Sequence, residues 1–269
     1  MGTALLVLIA APALAQQSTW QEIQQSQTLK LGVTQSPPWS QQDPQTGKWT
    51  GLSVALGQQI AKAMGVKLKL VPVTWSTAVA ALKSSKIDTM FVLDPTPERA
   101  MSVNFTLTPM FYYGLAVLHG NSIQATTWAD LNKPSINIGV TLGTSIDRFV
   151  TAELPNAHIS RYPNNDDTVA SFQSGRSNVV AMFAPALTML QRKVGTGQIT
   201  VPRPAHFSAT AAGVRREADP TWLNFLTTTL EYYYNSGETE KLYDQYLKAQ
   251  GIDPSTVPGL MKASLTGAQ

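Results

Sequence analysis

The turn between residues 94 and 99 carries the side chains of this chain that are best suited to bind a ligand or take part in chemistry. It reads DPTPER, so Pro95 and Pro97 restrict the backbone between Asp94 and Arg99. An arginine whose position is fixed by such a turn is suited to bind a carboxylate, because guanidinium and carboxylate groups match as a bidentate pair. The turn alone also allows Arg99 to be a surface side chain beside a proline-rich loop.

The other reactive side-chain types point away from metal and covalent chemistry. The chain has 269 residues and no cysteine, which excludes disulfides, thiolate metal sites and a cysteine nucleophile. Its three histidines are far apart and form no HExxH or His-x3-His motif, so we expect no metal ion and no cofactor. The 20 Lys and Arg residues form no basic block, and we therefore expect no nucleic-acid partner.

The segments around the turn alternate between strand and helix patterns. The predicted strands cover residues 28–33, 66–73 and 87–93, and the predicted helices between them cover residues 54–64 and 76–82. Gly65 stands where a C-cap glycine belongs, and Ser76 is the predicted N-cap of the following helix. This order predicts an α/β layer with a mostly parallel sheet.

The second half of the chain repeats this alternation. The predicted helices cover residues 128–131, 145–152, 168–174 and 220–249, with Gly237 interrupting the last, and the predicted strands cover residues 135–140 and 178–183. Two extended segments, residues 112–118 and 208–214, predict crossings between two lobes. Two lobes joined by two crossings form a hinge, and a ligand in the cleft stabilises closure through contacts with both lobes.

Several motifs occur in a characteristic order: LKLGVTQSPPW, WTGLSVALGQQIAKAMGVKLKLVPVTW, the segment around DPTPER, GVTLGTSID and GRSNVVAMFAPAL. In order and spacing, residues 28–250 resemble the bacterial extracellular solute-binding proteins of family 3, which are periplasmic receptors of ABC importers. The resemblance implies an α/β, two-lobed periplasmic-binding-protein fold (type II) with two hinge crossings and mixed, mostly parallel sheets. We expect lobe 1 at residues 28–113 plus 213–250, lobe 2 at 114–212 and a polar tail at 251–269.

The resemblance also implies roles for individual residues. Arg99, in the Thr-x-x-Arg turn, would bind the ligand α-carboxylate. Backbone N–H groups at Thr144 and Ser145, where a second-lobe helix begins, would complete this clamp, since a helix N-terminus favours an anion. Trp39 and Trp75, which follow strands, would flank the ligand side chain. The alternative for both tryptophans is a purely structural place in the core.

Three positions depart from the family pattern. Phe183 stands where an acidic residue usually binds the ligand ammonium, Asp94 replaces a small hydroxyl residue, and Gly51-Leu52-Ser53 replaces Gly-Phe-Asp. Two interpretations of Asp94 remain open. It binds the ligand ammonium from the first lobe, which we favour, or it pairs with Arg99 and weakens the carboxylate clamp.

A substitute anion is also available on the loop before residue 168. Asp166 and Asp167 either face the cleft or cap the helix that follows them.

These observations predict a monomeric receptor that binds a small amino acid or related organic carboxylate and docks on an inner-membrane ABC permease. Residues 1–15, MGTALLVLIAAPALA, predict a signal peptide and hence a periplasmic location. We expect no enzymatic activity. The alternative is a lyase similar to the periplasmic cyclohexadienyl dehydratases, for which Asp94 would be the candidate general acid or base.

Overall fold

A computed structural model describes residues 17–261 of the chain, so the predicted signal peptide lies outside the described residues. In chain order the strands are β1 (Thr28–Val33), β2 (Gln41–Gln42), β3 (Trp49–Thr50), β4 (Lys67–Pro72), β5 (Thr89–Met90), β6 (Val103–Phe105), β7 (Phe111–His119), β8 (Asn137–Thr141), β9 (His158–Tyr162), β10 (Val179–Phe183), β11 (Gln198–Thr200), β12 (Phe207–Thr210) and β13 (Gly213–Arg215). The helices are α1 (Thr19–Ser26), α2 (Leu52–Met64), α3 (Ala78–Lys83), α4 (Pro97–Ala100), α5 (Trp128–Leu131), α6 (Ser145–Glu153), α7 (Asn165–Gln173), α8 (Ala184–Val194), α9 (Thr221–Asn235) and α10 (Glu238–Ala249), and Pro254–Thr256 is a 3₁₀ turn.

Eleven of the strands form two mixed sheets, one in each lobe, and β2 and β3 form a separate antiparallel pair. The first has the order β4-β1-β5-β13-β6, and the second has the order β11-β7-β10-β8-β9 with β12 also paired to β7. The pairs β1–β4, β1–β5, β8–β10 and β8–β9 are parallel. Antiparallel pairs are more numerous than the sequence predicted, because β13 runs against its neighbours in the first sheet and β7 runs against its neighbours in the second.

The predicted crossings correspond to β7 and β12, which pair with each other between the lobes. Their antiparallel register runs from Phe111 opposite Thr210 to Gly114 opposite Phe207. The second crossing ends earlier than predicted, because β13 already belongs to the first sheet.

The chain after β13 returns to the first lobe. Trp222 of α9 is 1% exposed and donates from Nε1 to the carbonyl of Asp88 (3.0 Å), while α10 packs on α2. Residues 251–261 also differ from the predicted polar tail. Leu260 is fully buried, and its carbonyl accepts from the Tyr112 backbone N–H (2.9 Å).

Among the predicted elements whose ends differ from the structure are the strand at 87–93 and the helices at 76–82 and 168–174. The predicted strand at 87–93 is paired only over β5, because Val92 adopts φ 57° and turns the chain toward Asp94. Helix α3 begins two residues after Ser76, whose hydroxyl bonds to Thr74 instead of capping the helix (3.0 Å). Helix α7 begins at Asn165, not at residue 168. No helix within residues 17–261 combines the length and apolarity needed to cross a bilayer.

Candidate functional site

A cavity lies between the two lobes. All seven side chains singled out in the sequence line it: Trp39, Trp75, Asp94, Arg99, Thr144, Ser145 and Phe183. Trp39, Trp75 and Asp94 lie in loops that follow strands of the first sheet, and Arg99 lies in helix α4. The other three lie where α6 begins and where β10 ends. The cavity therefore lies at strand ends, where α/β proteins commonly bind ligands.

Arg99 is fixed by the turn that contains it. The hydroxyl of Thr96 caps α4 by accepting from the Arg99 backbone N–H (3.4 Å), and Pro97 occupies the first turn of that helix. The guanidinium is buried, and it donates to the carbonyls of Asp94 (2.9 Å) and Gly143 (2.8 Å). Burial lowers the pKa of Arg99 below its ordinary range, although arginine stays charged in proteins.

This buried cation lies within electrostatic reach of the Asp94 carboxyl but forms no direct ion pair with it. None of the ion pairs formed within residues 17–261 includes Arg99. A buried charge is costly unless it is paired, so an unpaired guanidinium lining a cavity indicates a place for an external anion.

The N-terminus of α6 adds backbone donors to the same cavity. Thr144 is the N-cap: its hydroxyl accepts from the Asp147 backbone N–H (3.2 Å) and donates to the carbonyl of Thr141 (2.8 Å). The backbone N–H groups of Ser145 and Ile146 have no acceptor among the described residues. First-turn N–H groups and the helix dipole both favour an anion at this end.

Asp94 is buried at the junction of the two lobes, with 5% of its surface exposed. Its Oδ1 accepts from the hydroxyl of Tyr113 (2.5 Å), and its Oδ2 accepts from the hydroxyl of Ser145 in the second lobe. Burial raises the pKa of Asp94, and the hydroxyl donors and Arg99 oppose that rise. The alternative in which Asp94 pairs with Arg99 finds no support in the contacts, because the guanidinium bonds to the main-chain carbonyls of Asp94 and Gly143 and forms no ion pair with the Asp94 carboxyl.

Tyr113 is a cavity residue that the sequence reasoning missed. Its ring centroid lies 3.7 Å from that of Phe183, and burial next to Asp94 raises the pKa of its hydroxyl far above 10.0. The available signal was its position in the aromatic segment that forms the first crossing.

The two tryptophans have different environments. Trp39 is 3% exposed and stacks on Phe111 with ring centroids 4.9 Å apart, so it belongs to the core as well as to the cavity wall. Trp75 is half-buried and lines the cavity from the loop after β4.

Polar contacts hold the two lobes together around the cavity. Asn165 Nδ2 donates to Ser36 Oγ (2.8 Å), and Gln35 Nε2 donates to Asp166 Oδ2 (3.3 Å). On the hinge side, Arg148 donates to Thr96 Oγ1 (3.0 Å) and pairs with Glu98. The two lobes are therefore in a closed arrangement around the cavity.

Neither Asp166 nor Asp167 lines the cavity, and Asp166 faces the cleft only through its contact with Gln35 of the other lobe (3.3 Å). Because α7 begins earlier than expected, both residues lie in its first turn, where Asn164 supplies the cap by accepting from the Asp167 backbone N–H (2.8 Å).

Phe183 leaves the second-lobe wall of the cavity without an acid. It precedes α8, and the neighbouring lining residues from β10 are Ala181 and Met182. Within the described part of the chain, no group of three or more His, Cys, Asp or Glu residues is arranged to hold a metal ion.

Comparison with known proteins places this geometry among solute receptors. The family model described as bacterial extracellular solute-binding proteins, family 3, matches residues 29–249. The L-cystine-binding protein TcyJ of Escherichia coli (strain K12) is 26% identical over 72% of this chain and 73% of its own length. Cyclohexadienyl dehydratase of Pseudomonas aeruginosa is 23% identical over 66% of this chain and 67% of its own length. The crystal structure of AncCDT-1, an ancestral amino acid-binding protein described as a precursor of cyclohexadienyl dehydratase, has a TM-score of 0.76 and 29% identity, and the match covers 85% of this chain and 99% of AncCDT-1.

Proposed function

The chain belongs to the bacterial extracellular solute-binding proteins of family 3, and from that membership we propose that it is a periplasmic receptor for a small organic carboxylate of amino-acid or related type. The family match and the amino-acid and cystine receptors among its relatives support this function. The receptor delivers its ligand to an ABC permease in the inner membrane. It works as a monomer, without a cofactor or a nucleic-acid partner, and residues 1–15 act as its export signal.

The observation that carries the proposal is the buried guanidinium of Arg99. It lines a cavity between two lobes, no carboxylate in the described chain pairs with it, and the α6 N-terminus adds the N–H groups of Ser145 and Ile146. A ligand carboxylate bound there supplies the missing counter-charge. Trp39 and Trp75 then enclose the ligand body.

Ligand binding couples to closure because the two halves of this carboxylate site lie on different lobes. Arg99 belongs to the first lobe, and α6 belongs to the second. A carboxylate that bonds to both stabilises the closed arrangement by the free energy of those contacts. The pairing of β7 with β12 supplies the hinge about which the lobes separate.

A thermal-shift panel of amino acids, betaines, keto acids and aromatic acids tests the proposed function. A ligand that binds only the folded protein raises Tm by mass action. We expect carboxylates to raise Tm and their amides or alcohols to leave it unchanged. If no carboxylate raises Tm at millimolar concentration, the proposal is wrong.

A second candidate is a lyase of the cyclohexadienyl dehydratase type. It is supported by one observation, the buried Asp94 carboxyl whose raised pKa suits a general acid, together with the dehydratase relative. We favour the receptor because Asp94 is the only acidic side chain among the described residues that line the cavity. Incubation with prephenate or arogenate decides between the two, and turnover that disappears in Asp94→Asn would establish the lyase.

A further inference from the structure

Phe183 lies where the end of β10 meets the interlobe cavity, and the backbone fixes its position. It is the last residue of β10, where it is paired with Leu115 of β7, and it is also the N-cap of α8. Pro185 restricts the first turn of the helix that follows. The Phe183 ring lines the cavity from this rigid junction, with 9% of the residue exposed.

The Phe183 ring is one end of a row of three aromatic rings, Trp39, Tyr113 and Phe183, which we call the aromatic row. The Phe183 centroid lies 3.7 Å from that of Tyr113, which in turn lies 5.6 Å from that of Trp39. The row connects a loop of the first lobe, the crossing strand β7 and the second lobe. Trp39 is 3% exposed and Tyr113 is 1% exposed. Because buried rings are close-packed, the row forms a fixed wall of the cavity.

The aromatic row lies close to the proposed carboxylate site. Tyr113 donates its hydroxyl to Asp94 Oδ1 (2.5 Å), and Asp94 Oδ2 accepts from the hydroxyl of Ser145 at the α6 N-terminus. One carboxyl group therefore spans the gap between the tyrosine of the row and the helix end that contributes backbone N–H groups to the site. A ligand body that extends from this helix end toward the row meets aromatic rings after a few carbon atoms.

A longer ligand body would have to displace a ring of the row, and forcing extra atoms into a packed region is destabilising. Two of the rings are also held by other contacts. Tyr113 is bonded to Asp94, and Trp39 stacks on Phe111 with centroids 4.9 Å apart. The Phe183 side chain has no polar atom, so its replacement opens apolar space in the cavity wall without breaking a side-chain hydrogen bond. Apolar space of this kind can bind an apolar group.

We propose that Phe183 sets the size limit of the ligand, and that the cognate ligand is a carboxylate with a short aliphatic body, of the size of propionate or alanine. The inference rests on the proposed receptor function and adds a size limit to it. The ligand carboxylate binds Arg99 and the α6 N-terminus, and the ligand body ends against the Phe183 ring. The limit applies to ligands with and without an α-amine, since the Asp94 carboxylate has more acceptor positions than its two hydroxyl donors use.

Ligand pairs that differ in body size test this inference on the unaltered protein. Isothermal titration would compare L-alanine with L-leucine and propionate with 4-methylpentanoate. In each pair that binds, we expect the shorter member to bind at least about tenfold more tightly, because the extra carbon atoms do not fit. Equal or tighter binding of the longer member would overturn the inference and leave the proposed receptor function intact. Absence of binding by all four compounds would overturn both.

Replacement of Phe183 gives a second result. The ratio of the two Kd values within a pair should shift toward the longer member by about tenfold in Phe183→Ala and by less in Phe183→Leu, which keeps more of the side-chain volume. Phe183→Leu also keeps the test valid if urea unfolding shows that Phe183→Ala is not folded. A wild-type ratio in the folded variants would overturn the inference.

Phe172→Ala is the matched control for the loss of a ring from the second lobe. Phe172 is partly buried in α7, packs against a separate apolar cluster and does not line this cavity. We expect its ratio of Kd values to equal that of the wild type. A shift in Phe172→Ala as large as that in Phe183→Ala would show that the size preference does not depend on contact with Phe183, and would overturn the inference.

Discussion

Replacing Arg99 by alanine should remove most of the affinity for any carboxylate ligand. A guanidinium has five N–H donors, and two of them bond to the carbonyls of Asp94 and Gly143, so three remain for a ligand. Two of these suffice for a bidentate pair. At about 1.5–3 kcal/mol for each charge-assisted bond, the loss is about 3–6 kcal/mol, or about 10²- to 10⁴-fold in Kd.

Tryptophan fluorescence offers a direct assay, because Trp39 and Trp75 both line the cavity. Titration with the tightest-binding carboxylate of the thermal-shift panel gives Kd for the wild type, Arg99→Ala and Arg99→Lys. Lysine keeps the charge but loses the planar fork, so its affinity should fall between the other two.

The matched control is Arg148→Ala, which removes a second arginine on the opposite lobe. The Arg148 side chain is 42% exposed, pairs with Glu98 and does not line this cavity. We expect its Kd to stay within about threefold of wild type, as surface ion pairs contribute little. Urea unfolding without ligand separates binding from stability, since Arg99→Ala also leaves two carbonyls unpaired. If folded Arg99→Ala binds as tightly as Arg148→Ala, the carboxylate-clamp assignment is wrong.

Three further predictions concern the walls, the closure and the buried acid. Trp39→Ala should lower the free energy of unfolding, measured with urea, by about 3–5 kcal/mol, because Trp39 is 3% exposed. Trp75 is half-buried, so Trp75→Ala should cost less stability while it still weakens ligand binding. A larger loss of stability in Trp75→Ala than in Trp39→Ala would contradict the two assigned environments. Gly143→Ala should weaken ligand binding by hindering lobe closure, because Gly143 has φ 77° and an added Cβ would lie 2.9 Å from the Ser76 Cα. Small-angle scattering of the ligand-bound variant should report a more open molecule than the wild type. A scattering profile equal to that of the wild type would refute this prediction. Because burial raises the pKa of Asp94 above its ordinary value of 3.8, the folded protein holds that proton more tightly than the unfolded chain, and the stability that this group contributes falls as pH rises above about 4. Asp94→Asn should therefore gain stability relative to wild type as pH rises above about 4, measured by urea unfolding. A difference that stays constant with pH would show that the pKa of Asp94 does not differ between the folded and unfolded protein.

Local chemistry explains why the turn that carries Arg99 was predictable. The capping hydroxyl of Thr96 and the proline at residue 97 specify a short helix through contacts within three residues. Helix α2 was predictable for the same reason, with its C-cap at Gly65.

The contacts of Asp94 could not be predicted in this way. Its donors Tyr113 and Ser145 lie 19 and 51 residues away in sequence, and they approach only because β7 crosses between the lobes and the second lobe closes. The early end of β5 also depends on tertiary structure, since positive φ at a β-branched residue such as Val92 opposes local preference. The hydrogen-bond partners of Asp94 are therefore set by the tertiary structure and not by its neighbours in sequence.

The position of β13 between β5 and β6 has a consequence for how the chain is made. All six strands of the second sheet lie within residues 111–210, so the whole sheet can pair while the rest of the chain is still being synthesised. The first sheet contains β1 near the start of the described chain, yet β6 joins it only through β13 at residues 213–215. Helices α9 and α10 arrive later still. Assembly is therefore out of sequence order: the lobe that is translated first is completed last, and the Arg99 turn awaits the chain's final third before its sheet is whole.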